Sequence, residues 1–204
     1  MKLTALQEDA LIELLNIGFG RAAASLSQLT GHRVVLEVPE VAIHPVDEVS
    51  ASLERVIQTE VASVHQIFSG PVAGDALLIL DQAGASMLKE LLTDEPALPL
   101  AIDVSAREVI TEIGNILLNA CLGTFGNLLR VQVSFSVPQL TLESVGAILE
   151  SLRVYQDSVQ YALIVHAGFK LRDAEVKGYL VIVLSVASLD RLIRAVEEWE
   201  RRPA

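Results

Sequence analysis

Glu13 and Asn16, and again Glu112 and Asn115, are the residues whose types and spacing suggest chemistry. They belong to a pattern written twice: Asp9, Glu13, Asn16 and Pro39 recur as Glu108, Glu112, Asn115 and Pro138, each 99 residues further on. A carboxamide donates and accepts hydrogen bonds and does not ionise near neutral pH. It is a poor nucleophile, but it can hold a water in line with a phosphoryl group, where catalysis depends on positioning more than on acid–base help. A neighbouring carboxylate can pair with a lysine or arginine of a docking partner. The plainer alternative is that these are ordinary exposed helix residues, since Glu is a good helix former. Asn is not; mid-helix it costs about 0.5 kcal/mol against Ala, and its placement there twice weighs against that alternative.

Such pairs need helices to carry them. Over residues 4–29, Leu11, Leu14, Leu15 and Gly18 fall at helical spacing on one face. Positions 9, 13, 16 and 20 form a separate stripe directed at solvent. Thr4 and Gln7 offer a capping box, and Gly31 a stop. A second helix is predicted over 105–121, opened by Ser105 with Glu108 as its capping box, which engages the Glu108 carboxylate. Its buried stripe is Val109, Ile113, Ile116 and Leu117, and its polar stripe is Glu108, Glu112, Asn115 and Asn119. Strands are predicted at 33–38, 55–68, 74–80, 131–137, 153–169 and 175–186. Further helices run from Asp81 to Leu92 and from Ser188 to Arg201, and the linker is TDEPALPL at 93–100.

The repeat reaches beyond the polar residues. Leu29, Val34 and Val38 match Leu128, Val133 and Val137 at the same offset, whereas GDALLIL at 74–80 matches GYLVIVL at 178–184 at an offset of 104. A small insertion accounts for the change. Each unit is too small to bury its apolar faces well alone. The expected fold is therefore α+β: duplicated helix-strand-strand-helix units, about 4–93 and 103–201, sharing one mostly antiparallel sheet about a pseudo-two-fold axis within one domain over 1–204.

Composition narrows the function. The 204 residues are 51% hydrophobic and 4% aromatic, so the core must be largely aliphatic. A formal charge of −11 argues against a nucleic-acid surface. Cys121 is the only cysteine, which fits a reducing compartment. No apolar signal region and no uncharged 18-residue run is present, and the expectation is a soluble cytoplasmic protein with no membrane insertion.

The spacing Asp-x3-Glu-x2-Asn-x22-Pro at 9–39, with Asn-Ile-Gly-x-Gly at 16–20, resembles the signature of the CheC/CheX/FliY chemotaxis phosphatase family. Glu112-x2-Asn115-x22-Pro138 matches it again, and two intact pairs most resemble the CheC branch. The resemblance implies hydrolysis of the aspartyl phosphate on a CheY-type response regulator. Asn16 and Asn115 would orient the water. Glu13 and Glu112 would dock a regulator lysine, with Asp9 and Glu108 contributing to partner binding. Gly18, Gly20, Pro39 and Pro138 would be structural members of the motif. The phosphatase would need no metal of its own, Mg²⁺ being held by the regulator, and a CheD-type receptor deamidase would be a further partner. Glu108 departs from the family's preferred Asp or Ser.

Other signals weigh less. GFGRAA at 18–23 has the glycine spacing of a dinucleotide fingerprint but lacks the strand that must precede it. His32, His44, His65 and His166 show no ligand spacing. Cys121, among apolar neighbours, reads as a buried inert thiol. The competing functional reading is a non-catalytic adaptor that binds a regulator or a deamidase through the same acidic helices.

Overall fold

The computed structural model describes residues 3–38, 40–46, 48–49, 60–93, 102–154, 160–171 and 174–201. Two 26-residue helices, α1 (Ala5–Thr30) and α3 (Val104–Leu129), dominate one side. Around them stand β1 (Val34–Glu37), β2 (Val41–Pro45), β3 (Val61–Ser69), β4 (Gly74–Asp81) and α2 (Gln82–Thr93). They are followed, after α3, by β5 (Ser134–Phe135), β6 (Gln139–Glu143), α4 (Val145–Val154), β7 (Gln160–Leu171), β8 (Ala174–Ser185) and α5 (Val186–Glu200).

The long helices begin and end at equivalent positions. Thr4 caps α1 through the expected box with Gln7, and Gly31 closes it at φ 71°. The expected start of α3 is corrected: Asp103, not Ser105, is its N-cap, accepting from the Ala106 N–H at 2.7 Å. The helix also runs to Leu129 rather than 121, ending at Arg130 with φ 54°. Both caps obey the 99-residue offset, Thr4 with Asp103 and Gly31 with Arg130. Further corrections concern the strands. The stretch 131–137 contributes only Ser134–Phe135, and 153–154 is the end of α4 rather than the start of a strand. The strands β2 and β6 and the helix α4 were not anticipated. Of the expected strand 55–68, residues 55–59 lie outside the described ones, as do Pro39 and most of the linker at 93–100.

All the described strands join one eight-stranded sheet of antiparallel pairings, and the two halves interlock in it. β1 and β2 lie end to end along β7, while β5 and β6 lie end to end along β3. Each half thus completes the other's sheet edge. At the centre β4 pairs with β8, Gly74 facing Leu184 and Leu80 facing Gly178. The 104-residue offset maps this ladder onto itself, with Leu77 and Val181 at the pivot. The change of offset is also localised. From Phe68 to its partner Gly74 is six residues; from Ala167 to Gly178 is eleven, the difference being the five by which 99 becomes 104. The extra residues lengthen the β7–β8 hairpin, and β1 pairs with that extension at residues 168–171.

One face of the sheet buries Ala62, Val64, Leu78, Leu163, Leu180 and Ile182 under α1 and α3. The opposite face buries Leu77, Ile79, Ile164 and Val181 with Val46, Val49, Val145 and Ile148. The last four are again pairs at offset 99, so the start of α4 has its counterpart at 46–49. The helices pack closely at Gly18, where an added Cβ would stand 3.1 Å from the Cys121 Cα. α3 is long and apolar enough to cross a bilayer, but it is mostly buried, with Ile110, Leu117 and Leu118 in the core.

Candidate functional site

Each long helix turns its apolar face to the core and leaves the polar stripe outside. On α1, Asp9, Glu13, Asn16 and Gly20 are exposed. On α3, Glu108 and Glu112 are exposed, and Asn115 and Asn119 are half-buried. The sequence therefore placed both carboxylate–carboxamide pairs on the outer side of their helices. The backbone stays helical through Gly18 and Gly20, which removes the strand–turn–helix context that a dinucleotide site needs. A Cβ at Gly18 would crowd α3, at 3.1 Å from the Cys121 Cα, whereas nothing lies within 4 Å of a Cβ built at Gly20.

The two carboxamides are held differently. Asn16 Oδ1 accepts from the backbone N–H of Val38 at 3.2 Å. Val38 is buried, following a β1 strand locked onto the long hairpin. In the second half the corresponding Val137 is 81% exposed. There the connecting segment is tied to β3 instead: the Ser136 N–H donates to the Ile67 carbonyl, the Ile67 N–H to Ser136 Oγ, and Gln66 Nε2 to the Ser136 carbonyl, each at 2.9 Å. Asn115 turns to its own helix. Its Oδ1 accepts from Asn119 Nδ2 at 2.7 Å, and its Nδ2 faces Glu112 Oε2 at 3.5 Å. Pro138 is half-buried beside this segment.

This second arrangement has a cost. Asn119 Oδ1 is buried without a hydrogen-bond partner among the described residues, as are Gln66 Oε1 and Ser63 Oγ. A buried unpaired acceptor costs about 1–3 kcal/mol.

Glu108 is not engaged by a helix cap, because Asp103 performs that task. With Glu112 it borders an apolar groove of about 280 Å³ lined by Leu26, Leu29, Leu92, Val109 and Ile113. Around the first pair, the matching flank of α1 is met by α5. Gln7 Nε2 donates to Glu197 Oε1 at 2.7 Å, and Trp199 packs on the core. Cys121 is buried, and burial pushes its thiol well above the ordinary cysteine range, so it is not a nucleophile. His65 bonds Asp75 at 2.8 Å and His166 stacks edge-on against Tyr179, both away from the helix pairs in sequence and on strands. No group of three or more potential metal ligands occurs among the described residues.

Sequence reading noted Asn119 in the polar stripe but gave it no role. Its spacing of four from Asn115, opposite a glycine in the first copy, was the available signal. The Val38 N–H carries no side-chain signal, and Ser136, which anchors through its hydroxyl as well as its backbone, lies outside the repeated pattern, opposite Glu37.

Comparison with known proteins agrees with this construction. No family model matches the chain. It is 26% identical over 196 residues to the CheY-P phosphatase CheC of Bacillus subtilis (strain 168), covering 93% of both chains. Among solved structures it resembles Thermotoga maritima FliY with a TM-score of 0.79 at 18% identity, over 97% of this chain and 99% of that one. A chain of an H. pylori FliG–FliM complex gives 0.66 at 11% identity, over 94% and 100%. A chain of the Borrelia burgdorferi CheX–CheY–BeF3–Mg²⁺ complex gives 0.50 at 17%, over 82% and 96%. The structural likenesses establish the fold, and the end-to-end match to CheC joins that fold to a sequence bearing both Glu–Asn pairs. In sequence the chain is thus similar to CheC, and in fold to FliY and to a chain of the CheX–CheY complex.

Proposed function

We propose that this protein hydrolyses the aspartyl phosphate of a CheY-type response regulator. The observation that carries this reading is the carboxylate–carboxamide pair, three residues apart, on the outer side of each of two matched helices, in a chain similar to CheC over 93% of its length. In this reading α1 or α3 lies across the regulator's phosphorylation site. Asn16 or Asn115 holds a water in line with the phosphorus, and no side chain of the phosphatase forms a bond to it. A fixed carboxamide suits this work, since positioning and preorganised dipoles supply most of the acceleration in phosphoryl transfer. Glu13 and Glu112 pair with a regulator lysine and set the register of docking. Asp9 and Glu108 extend the acidic stripe one turn toward each helix N-terminus. The regulator would hold the Mg²⁺, which would offset charge on the phosphoryl oxygens while the aspartate carboxylate leaves. A CheD-type deamidase is a further partner in this reading, and the place of action is the cytoplasm.

The test is phosphate release from a phosphorylated regulator in Mg²⁺, with and without the protein. Asn16→Ala combined with Asn115→Ala should return the rate to that of the regulator alone. Undiminished acceleration in the double variant would exclude the positioned-water mechanism.

The same fold occurs in a FliG–FliM complex, which favours one second reading, an adaptor that binds without hydrolysis. That reading expects saturable binding of the regulator, abolished by Glu13→Ala with Glu112→Ala, and no release of phosphate.

A further inference from the structure

Both carboxamides have their oxygen engaged within the protein, by two routes, and the second route involves a residue outside the Glu–Asn pair. At the first site a backbone N–H, that of Val38, bonds the Asn16 oxygen, so the side-chain nitrogen is the end left for a ligand. At the second site the direction of the chain of bonds is fixed by Glu112. A carboxylate can only accept, so Asn115 must turn Nδ2 toward it and Oδ1 away. The oxygen then meets Asn119 Nδ2 at 2.7 Å. The reverse orientation would set the Asn115 oxygen against the Glu112 carboxylate.

Asn119 does this at its own expense. Its Oδ1 is buried and has no partner among the described residues, and an asparagine mid-helix is a poor helix former. Its counterpart on α1 is Gly20, which has open space around it and no side chain to offer. The counterpart of the Val38 donor, Val137, is 81% exposed. Where the first half supplies a main-chain donor, the second supplies a side-chain one.

We propose that Asn119 is a positioning residue of the second site: its amide holds the Asn115 oxygen and thereby fixes the Asn115 N–H toward the docked phosphoryl group. The consequence for turnover rests on the phosphatase reading; the pairing itself does not.

Asn119→Asp tests both. The variant is isosteric, but its carboxylate cannot donate at neutral pH and would draw the Asn115 N–H inward. Amide correlation spectra of the whole protein, with the Asn115 side-chain signals assigned by their loss in Asn115→Ala, should show that NH₂ pair displaced while the Asn16 pair stays in place. An unmoved Asn115 pair would overturn the proposal whether or not the protein is a phosphatase. In an Asn16→Ala background, Asn119→Asp should lower kcat for phosphate release at least tenfold and leave KM for the phosphorylated regulator within twofold. A kcat within twofold of its parent would equally overturn it. If the unaltered protein releases no phosphate, a displaced Asn115 pair still supports the positioning role, and the failure falls on the phosphatase reading alone.

Discussion

The surroundings of Asn16 and Asn115 are built from matching residues, yet they are supported from different directions. The first helix is flanked by a strand that the sheet holds in full. Four residues of β1 pair with the extended β7–β8 hairpin, and Val38 emerges buried with its N–H on the carboxamide. The second helix has no such flank. β5 pairs at two positions with the end of β3, because the β3–β4 hairpin turns five residues sooner. The difference teaches that a hairpin's length, far from the site in sequence, decides which group can reach the carboxamide. With a strand close by, a backbone donor suffices. Without one, the helix supplies Asn119.

Four experiments would break or sharpen the comparison. The largest effect is expected at the sheet centre, at the equivalent glycines 74 and 178. A Cβ at Gly74 would stand 2.1 Å from the Val183 carbonyl oxygen, while at Gly178 its nearest neighbour is a side-chain methyl, Leu80 Cδ2, at 2.7 Å. Gly74→Ala should destabilise by about 3 kcal/mol and Gly178→Ala by about 1 kcal/mol, read from denaturant midpoints. Equal losses would mean that the two halves meet more symmetrically than the register implies.

Next come the single carboxamide variants. Asn16→Ala and Asn115→Ala should each remove one site, and together their residual phosphate-release rates should approximate that of the parent. A tenfold difference between the two residual rates, about 1.4 kcal/mol in barrier, would show that one support is the better positioning device.

Smaller again is the contrast between the flanking valines. Val38 is buried and Val137 is 81% exposed. Val38→Ala should cost about 1–2 kcal/mol by loss of packed methyls, and Val137→Ala less than about 0.5 kcal/mol. Chemical denaturation of the two variants side by side checks this.

The smallest effect belongs to the helix ends. Gly31 and Arg130 take the same left-handed cap, at φ 71° and 54°. Only the arginine bears a Cβ there, at a penalty of roughly 1 kcal/mol. Arg130→Gly should therefore stabilise by about 0.5–1 kcal/mol, and Gly31→Ala should destabilise by a similar amount, as a small upward and a small downward shift of Tm.

More of the fold was legible than a linear reading extracted. The 99-residue offset that links Asn16 to Asn115 also links Thr4 to Asp103 and Thr30 to Leu129. Carried through, it would have placed the cap and the end of α3. Local capping logic favoured Ser105 because Glu108 follows it at the box spacing, but an aspartate two residues earlier met the helix first. The short strands β2 and β6 were missed for another reason. Five residues with mixed burial give too little alternation to stand out. The helix α4 shares its apolar content with a buried strand, and periodicity over ten residues separates the two poorly.

By itself the sequence determined the two helices, the faces they turn outward and the residues those faces carry, because helical periodicity is local and written in neighbouring side chains. It also determined that the Glu–Asn pair comes in two copies. Only the tertiary structure decided that the halves exchange strands within one sheet, that the insertion lengthens one hairpin, and that Val38 serves one carboxamide while Asn119 serves the other. Those outcomes depend on backbone groups and long-range register. A main-chain N–H is the same at every non-proline position, so no pattern of residue types reveals which one the sheet brings to Asn16.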